Sequence, residues 1–412
     1  MKKFNKIMSA VLASAMVMTL LAGCGSTAAD SQTTDAAGET ADTAGTDAAA
    51  ENGAAAAESG VFKIGGIGPV TGSAAVYGVA VQNAAQLAVD EINAAGGING
   101  CQVEFKFEDD ECDAEKSVNA YNTLKDWGMQ MLMGTVTSGC CVAVADKTAA
   151  DNMFQLTPSG SSVECVQYDN AFRVCFSDPN QGMASAKYIG ENAVAAKVAV
   201  IYDSSDIYSS GIYEKFAAES KNQPFEIVSA EAFTADNKTD FSVQLQKAKD
   251  AGAELVFLPI YYTEASLILS QAASSGYAPI FFGCDGLDGI LNVENFDTSL
   301  AEGVMLLTPF AADAQDELTK KFVTAYKEKF NDTPNQFAAD AYDAIYAIKA
   351  AAEKAAITPD MDMSAICDTM KGAMTGISLD GLTGTGMTWD ASGEPNKAPK
   401  AVKITDGVYT AM

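Results

Sequence analysis

The sequence predicts an α/β protein with parallel sheets covered by helices on both faces. Two observations carry this. From Val61 onward, short apolar runs alternate repeatedly with longer amphipathic stretches, the pattern of strand–helix–strand units. The chain is also large, 412 residues with 48% apolar content, enough for two ordinary domains with sizeable cores.

The elements follow in order. Phe62–Ile67 reads as the first strand. Val76–Ala95 reads as a helix, with Val81, Ala84, Ala85, Ala88, Val89 and Ile92 on one face, and Gly96-Gly97 ends it. Val103–Phe107 alternates as a strand does. Further strands are expected at Met129–Met133, Phe154–Leu156, Lys197–Tyr202, Phe225–Val228, Leu255–Ile260, Ile280–Phe282 and Val304–Leu307. Helical stretches lie between most of them. Parallel sheets bind ligands beyond the carboxyl ends of their strands, so residues just after each strand are the candidates for function.

The N-terminus has a different character. Lys2, Lys3 and Lys6 precede a short apolar run, Val11–Leu21, which closes in Leu21-Ala22-Gly23-Cys24. A basic flank, a short apolar run and small residues mark a secretory signal rather than a membrane span. The cysteine in that position resembles a bacterial lipobox, which implies cleavage after residue 23 and lipid on Cys24. Residues Gly25–Gly60 contain no Lys, Arg or aromatic. Such a segment buries too little apolar area to offset its ordering entropy, and a flexible acidic spacer is expected there.

Composition removes several functions. The net charge of −28 disfavours nucleic acid, whose phosphates need a basic face. There is no histidine, so a Ser-His-Asp or Cys-His pair and a His-ligated zinc site are excluded. No enzyme activity, cofactor or metal is expected. Of nine cysteines, eight remain beyond Cys24, and an even number in an exported chain permits disulfides.

Two motifs look chemical and are read otherwise. Gly66-x-Gly68-x-x-x-Gly72 is one residue too long for a dinucleotide loop and holds Pro69; a tight strand-to-helix turn is expected. The acidic stretch Glu108–Asp113 lacks the glycine and terminal glutamate of an EF-hand loop, and a solvated loop is expected. Better candidates are Thr137-Ser138-Gly139, which follows a strand and opens a helix, and Ser159-Gly160-Ser161 after the next strand. Helix N–H groups and hydroxyls there suit a carboxylate, although each serine alone also fits a plain N-cap. Asp285, before Gly286, alone reads as a turn residue.

Ordered motifs then add a resemblance. Gly68-Pro69-Val70-Thr71-Gly72, Tyr77-Gly78, Ala94–Gly100, Asp109–Asp113, Met133-Gly134, Thr157-Pro158, Asp178-Pro179-Asn180-Gln181-Gly182, Phe282-Gly283 and Thr388-Trp389-Asp390 together resemble the leucine/isoleucine/valine-binding protein family of ABC importers. The resemblance covers essentially everything after the spacer. It implies two doubly wound lobes joined by a three-strand hinge, the type I periplasmic binding protein fold. Residues 1–23 would then be a signal peptide and 24–60 a lipid-anchored linker. The N-terminal lobe would be 61–179 with 309–397, and the C-terminal lobe 180–308 with 398–412.

The resemblance also implies roles. Ser138, Gly139, Ser159, Gly160 and Ser161 would hold the carboxylate and amine of an amino acid. Asp285 would pair with its ammonium, being an aspartate where the family commonly has glutamate. Tyr77, Tyr208 and Tyr261 would line the cleft. Cys112 matches a family cysteine whose partner position is Thr137 here, and Cys140 or Cys141 would substitute; apart from the family pattern, Cys165 and Cys175 flank the turn-like segment Tyr168-Asp169-Asn170, and a bridge across it is expected. The expected function is an extracytoplasmic, lipid-anchored, monomeric receptor that captures a branched-chain or other small aliphatic amino acid and delivers it to an ABC permease. A ligand sensor of the same fold, for amino acids or short amides, is the alternative.

Overall fold

The computed structural model describes residues 60–412. The expected signal segment, lipidation at Cys24 and the spacer up to residue 59 lie outside them. No helix among the described residues is long and apolar enough to cross a membrane.

Two sheets organise the chain. The first contains β1 (Phe62–Gly68), β2 (Val103–Asp109), β3 (Met131–Gly134), β4 (Phe154–Thr157) and β5 (Ala171–Arg173), all parallel, in the order β2-β1-β3-β4-β5. The second contains β6 (Lys197–Asp203), β7 (Glu226–Phe233), β8 (Leu255–Leu258), β9 (Ile280–Gly283), β10 (Met305–Thr308), β11 (Lys400–Thr405) and β12 (Val408–Ala411), in the order β12-β11-β10-β9-β8-β6-β7. Its first five members in sequence are parallel, and the closing hairpin is antiparallel. Both sheets change direction beside their first strand, β1 and β6, which leaves a crevice at the strands' carboxyl ends.

The core strands β3, β4 and β8 are buried along their whole length, because helices cover both faces of a parallel sheet. The covering helices are α1 (Ala75–Ala94), α2 (Ala114–Trp127), α3 (Ser138–Asp151), α4 (Asp178–Glu191), α5 (Ile207–Glu219), α6 (Ser242–Asp250), α7 (Tyr262–Ser274), α8 (Glu317–Phe330), α9 (Gln336–Ala355) and α10 (Met363–Met374). α1 packs along α9, and α4 along α5. The chain passes between the sheets three times: from β5 into α4, from β10 into α8, and from Trp389 to β11. A buried ion pair ties these passages. Lys397 Nζ meets Asp340 of α9 at 2.7 Å and donates to the carbonyl of Val174 at 3.0 Å.

Three expectations change. Gly66 lies inside β1 as its strand reading expects, and Gly68 lies there too rather than in the turn; a Cβ on Gly66 would stand 2.4 Å from the Phe107 ring, so close strand packing selects glycine there. Gly72 alone occupies the turn, at φ +81°. In the acidic stretch, the Asp109 carboxylate accepts from Val70 N at 2.9 Å and Thr71 Oγ1 at 2.6 Å, and Asp113 caps α2 through Lys116 N at 2.9 Å. Asp109 and Asp113 thus act as structural acceptors, in a stretch whose Glu111 and Asp113 stay exposed. All eight described cysteines are free thiols. Cys112 lies beside Cys140, and Cys165 beside Cys141 instead of Cys175, because both Cys165 and the α3 turn carrying Cys141 converge on Ser138.

Candidate functional site

On the first-sheet side, α3 begins at Ser138 immediately after β3 and its loop. The preceding residue, Thr137, makes no side-chain cap; α1, α4, α6 and α7 start without one too, while α2, α5, α8, α9 and α10 are capped by Asp or Asn. Helical geometry leaves the first-turn N–H groups of α3 without internal acceptors, and here no side chain fills them. Ser138 Oγ accepts from Ser161 N and Ser162 N, both at 3.1 Å, and lies 3.3 Å from Ser161 Oγ. Ser159 Oγ donates to Val136 O at 2.6 Å. Behind this loop, the buried guanidinium of Arg173 donates to Gly160 O at 3.0 Å and Ser162 O at 2.8 Å. The serine loop is therefore a rigid, hydroxyl-lined wall.

On the second-sheet side, Asp285 opens a one-turn 3-10 helix, Asp285–Leu287, directly after β9. It is buried. Its Oδ1 accepts from Tyr208 Oη at 2.7 Å and its Oδ2 from Gln181 Nε2 at 3.0 Å, and its own N–H donates to Gln181 Oε1 at 3.2 Å. Burial pushes the carboxyl up to about 6, against the opposing pull of the Tyr208 and Gln181 donors. Tyr208 Oη also accepts from Gly286 N at 2.9 Å. A Cβ on Gly286 would stand 2.6 Å from that hydroxyl and 2.7 Å from Ile260 O, so only glycine fits. Tyr208 and Tyr261 stack at 5.0 Å between centroids.

The two walls meet across a narrow gap. Tyr77, Ser138, Ser159, Ser161, Tyr208, Tyr261 and Asp285 all line it, joined by Val136, Thr137, Gly286 and Phe337. The gap holds about 10 Å³, room for a water-sized sphere. Hydrogen bonds between the walls hold it shut: Tyr77 Oη donates to Gly286 O at 2.5 Å, Tyr262 N to Tyr77 Oη at 3.3 Å, Val76 N to Tyr262 Oη at 3.2 Å, and Thr263 Oγ1 to Ser73 O at 2.7 Å. Beyond Tyr261 lies an outer cavity of about 360 Å³ whose walls include Glu111, Asp113, Asp203, Asp206 and Glu264 against a single Lys238. That excess of acid favours an approaching cation.

Gly139 and Gly160 are not among the residues lining the gap, although Gly139 contributes its backbone N–H to the first turn of α3. Gly160 N donates to Thr157 Oγ1 at 2.8 Å, and a Cβ there would stand 2.9 Å from Cys141 Sγ, so Gly160 serves packing behind the wall. Sequence reasoning missed Gln181, Gln336 and Phe337 as site residues. Gln181 stood in a quoted motif; its place just inside α4, fed by the passage from β5, was the available signal. It also missed Asp178, whose buried Oδ1 has no partner and whose carboxyl is raised by burial and by Asp285 nearby, while Ser161 and Arg173 oppose the shift.

Two α/β units, a crevice at their strand ends, and backbone donors opposed to a buried carboxylate define a two-lobed ligand-binding protein. The comparisons agree. The family model described as periplasmic binding protein matches residues 61–407. The chain is 33% identical over 300 residues to Leu/Ile/Val-binding protein homolog 3 of Brucella melitensis, covering 72% of this chain and 80% of that one. It is 31% identical to the leucine-, isoleucine-, valine-, threonine-, and alanine-binding protein of Pseudomonas aeruginosa, covering 71% and 78%. Its fold matches the LivJ substrate binding protein of Streptococcus pneumoniae, crystallised with isoleucine, at TM-score 0.77 and 30% identity, over 85% of this chain and 98% of that one. A Rhodopseudomonas palustris (R. palustris) solute binding protein in complex with benzoate shares the fold at TM-score 0.76 and 19% identity, over 86% of this chain and 96% of that one. The chain belongs to the leucine/isoleucine/valine-binding family of type I periplasmic binding proteins, which are binding components of transporters and not enzymes.

Proposed function

We propose that this protein is the extracytoplasmic, lipid-anchored receptor of an ABC importer and that its ligand is a free branched-chain or other small aliphatic amino acid. The observation that carries the reading is the opposition of Asp285, held by Tyr208 and Gln181, to the uncapped start of α3 and its serine wall. A zwitterion satisfies both. Its ammonium replaces the repulsion that a buried carboxylate otherwise meets, and its carboxylate meets N–H groups at a helix start.

The related structures offer a choice of ligand chemistry, since one holds isoleucine and another benzoate. A benzoate has no cation for Asp285, and an unpaired buried carboxylate facing an anion is costly. The acidic outer cavity also repels an anion. Both features support the amino acid.

Capture proceeds by hinge motion about the three passages between the sheets, with lobes at 61–179 with 309–397 and 180–308 with 398–412. Ligand bound to both walls stabilises the closed form by its differential affinity for that form. A permease reads the closed shape, and Cys24 with the acidic spacer keeps the receptor near it at high effective concentration.

The test is Asp285→Ala. Amino-acid affinity in calorimetry is expected to fall by about a hundredfold or more, with the circular dichroism spectrum retained. Unchanged affinity would refute the ammonium assignment.

A further inference from the structure

A third cavity, of about 400 Å³, shares no lining residue with the gap or the outer cavity. Four pieces of chain form it: the turn after β9 with Asp288, Leu291 and Asn292; the end of β10 and its loop from Thr308 to Asp313; the stretch from Lys327 to Asn335; and the β11–β12 hairpin at Gly407–Tyr409. Its volume falls in the range of small-molecule sites, and it is far larger than the gap beside Asp285.

Its chemistry is specific. Leu291, Phe310, Pro334 and Val408 supply apolar wall. The charged groups facing the space are Asp288, Asp313, Asp332 and Lys327, an excess of negative charge. Asp288 is 4% exposed. Its Oδ2 accepts from Gln336 N at 2.8 Å, while its Oδ1 is buried without a hydrogen-bond partner. The Tyr409 hydroxyl beside it accepts from Gly289 N at 3.0 Å and turns its proton toward Leu287 O at 3.5 Å. Leaving a buried carboxylate oxygen unpaired costs free energy that a donor from a ligand recovers.

We propose that this cavity is a second binding site, for a small primary ammonium compound with an apolar body. The ammonium donates to Asp288 Oδ1, and the hydrocarbon lies against Phe310 and Leu291. The site also touches the first one. Gln336 donates its backbone N–H to Asp288 and its side-chain Nε2 to Asp285 O at 2.8 Å, and Asp285 and Asp288 flank a single helical turn.

The test is calorimetry of the protein with 3-methylbutylamine, with 3-methylbutan-1-ol as the uncharged control. Saturable amine binding is expected, with the alcohol about tenfold or more weaker. Asp288→Asn should weaken the amine by a similar factor. Asp332→Lys, an exposed change on the cavity wall, should weaken it without touching the buried turn, and carries the test if Asp288→Asn does not fold. Asp285→Asn should leave amine binding in place. Absence of saturable binding, equal affinity for the alcohol, or loss in Asp285→Asn with retention in Asp288→Asn and Asp332→Lys would overturn the proposal.

Discussion

At the residue scale, the proposed ligand chemistry rests on Asp285. Its carboxyl, raised to about 6 by burial, must be ionised to hold an ammonium. Amino-acid affinity is therefore expected to be flat above pH 7 and to fall about tenfold per unit as pH drops below 6; calorimetry at stepped pH measures it. The unliganded fold should respond in the opposite sense. Asp285 and Asp288, raised to about 6 and about 7, bind protons more tightly folded than unfolded, so their contribution to stability declines as pH rises from 4 to 7. Asp285 alone read as a turn residue; only the family resemblance singled out Asp285, Tyr208 and Tyr261, which the fold brings to one gap. Gln181 and Gln336 were not singled out, because each comes from the start of a helix that the chain delivers from a different passage. Gly160 was misread because a glycine beside two wall serines gives no sign of which side faces Cys141.

At the element scale, strands were easy to find and their ends were not. β7 runs to Phe233, past the apolar run that announces it, because it is held by pairing with β6 through a register shift at Val198/Ala199. The uncapped start of α3 is the element that a carboxylate would complete, and nothing in Thr137-Ser138-Gly139 announced that Thr137 would leave it uncapped. The Lys397–Asp340 pair was silent in the sequence because its partners are far apart in the chain and meet only where the passages converge. Lys397→Ala leaves Asp340 buried without its cation, and urea denaturation should show a loss of about 3–5 kcal/mol.

At the scale of the whole molecule, strand–helix alternation foretold parallel sheets, and the ordered motifs foretold two units with a crevice between them. Neither foretold how tightly the walls close, because the latches are hydrogen bonds between backbone and tyrosine across the gap. Tyr77→Phe removes the donor to Gly286 O and the acceptor for Tyr262 N. Small-angle scattering should show a larger unliganded radius of gyration in that variant, and amino-acid affinity should fall by about three- to tenfold; identical scattering would mean that Tyr77 is no latch. The central claim is that the closed cleft selects a zwitterion. Calorimetry comparing isoleucine with its deaminated analogue 3-methylpentanoate and with benzoate tests it most directly. The account predicts saturable isoleucine binding, with both acids about a hundredfold or more weaker; either acid binding as tightly as isoleucine would contradict it.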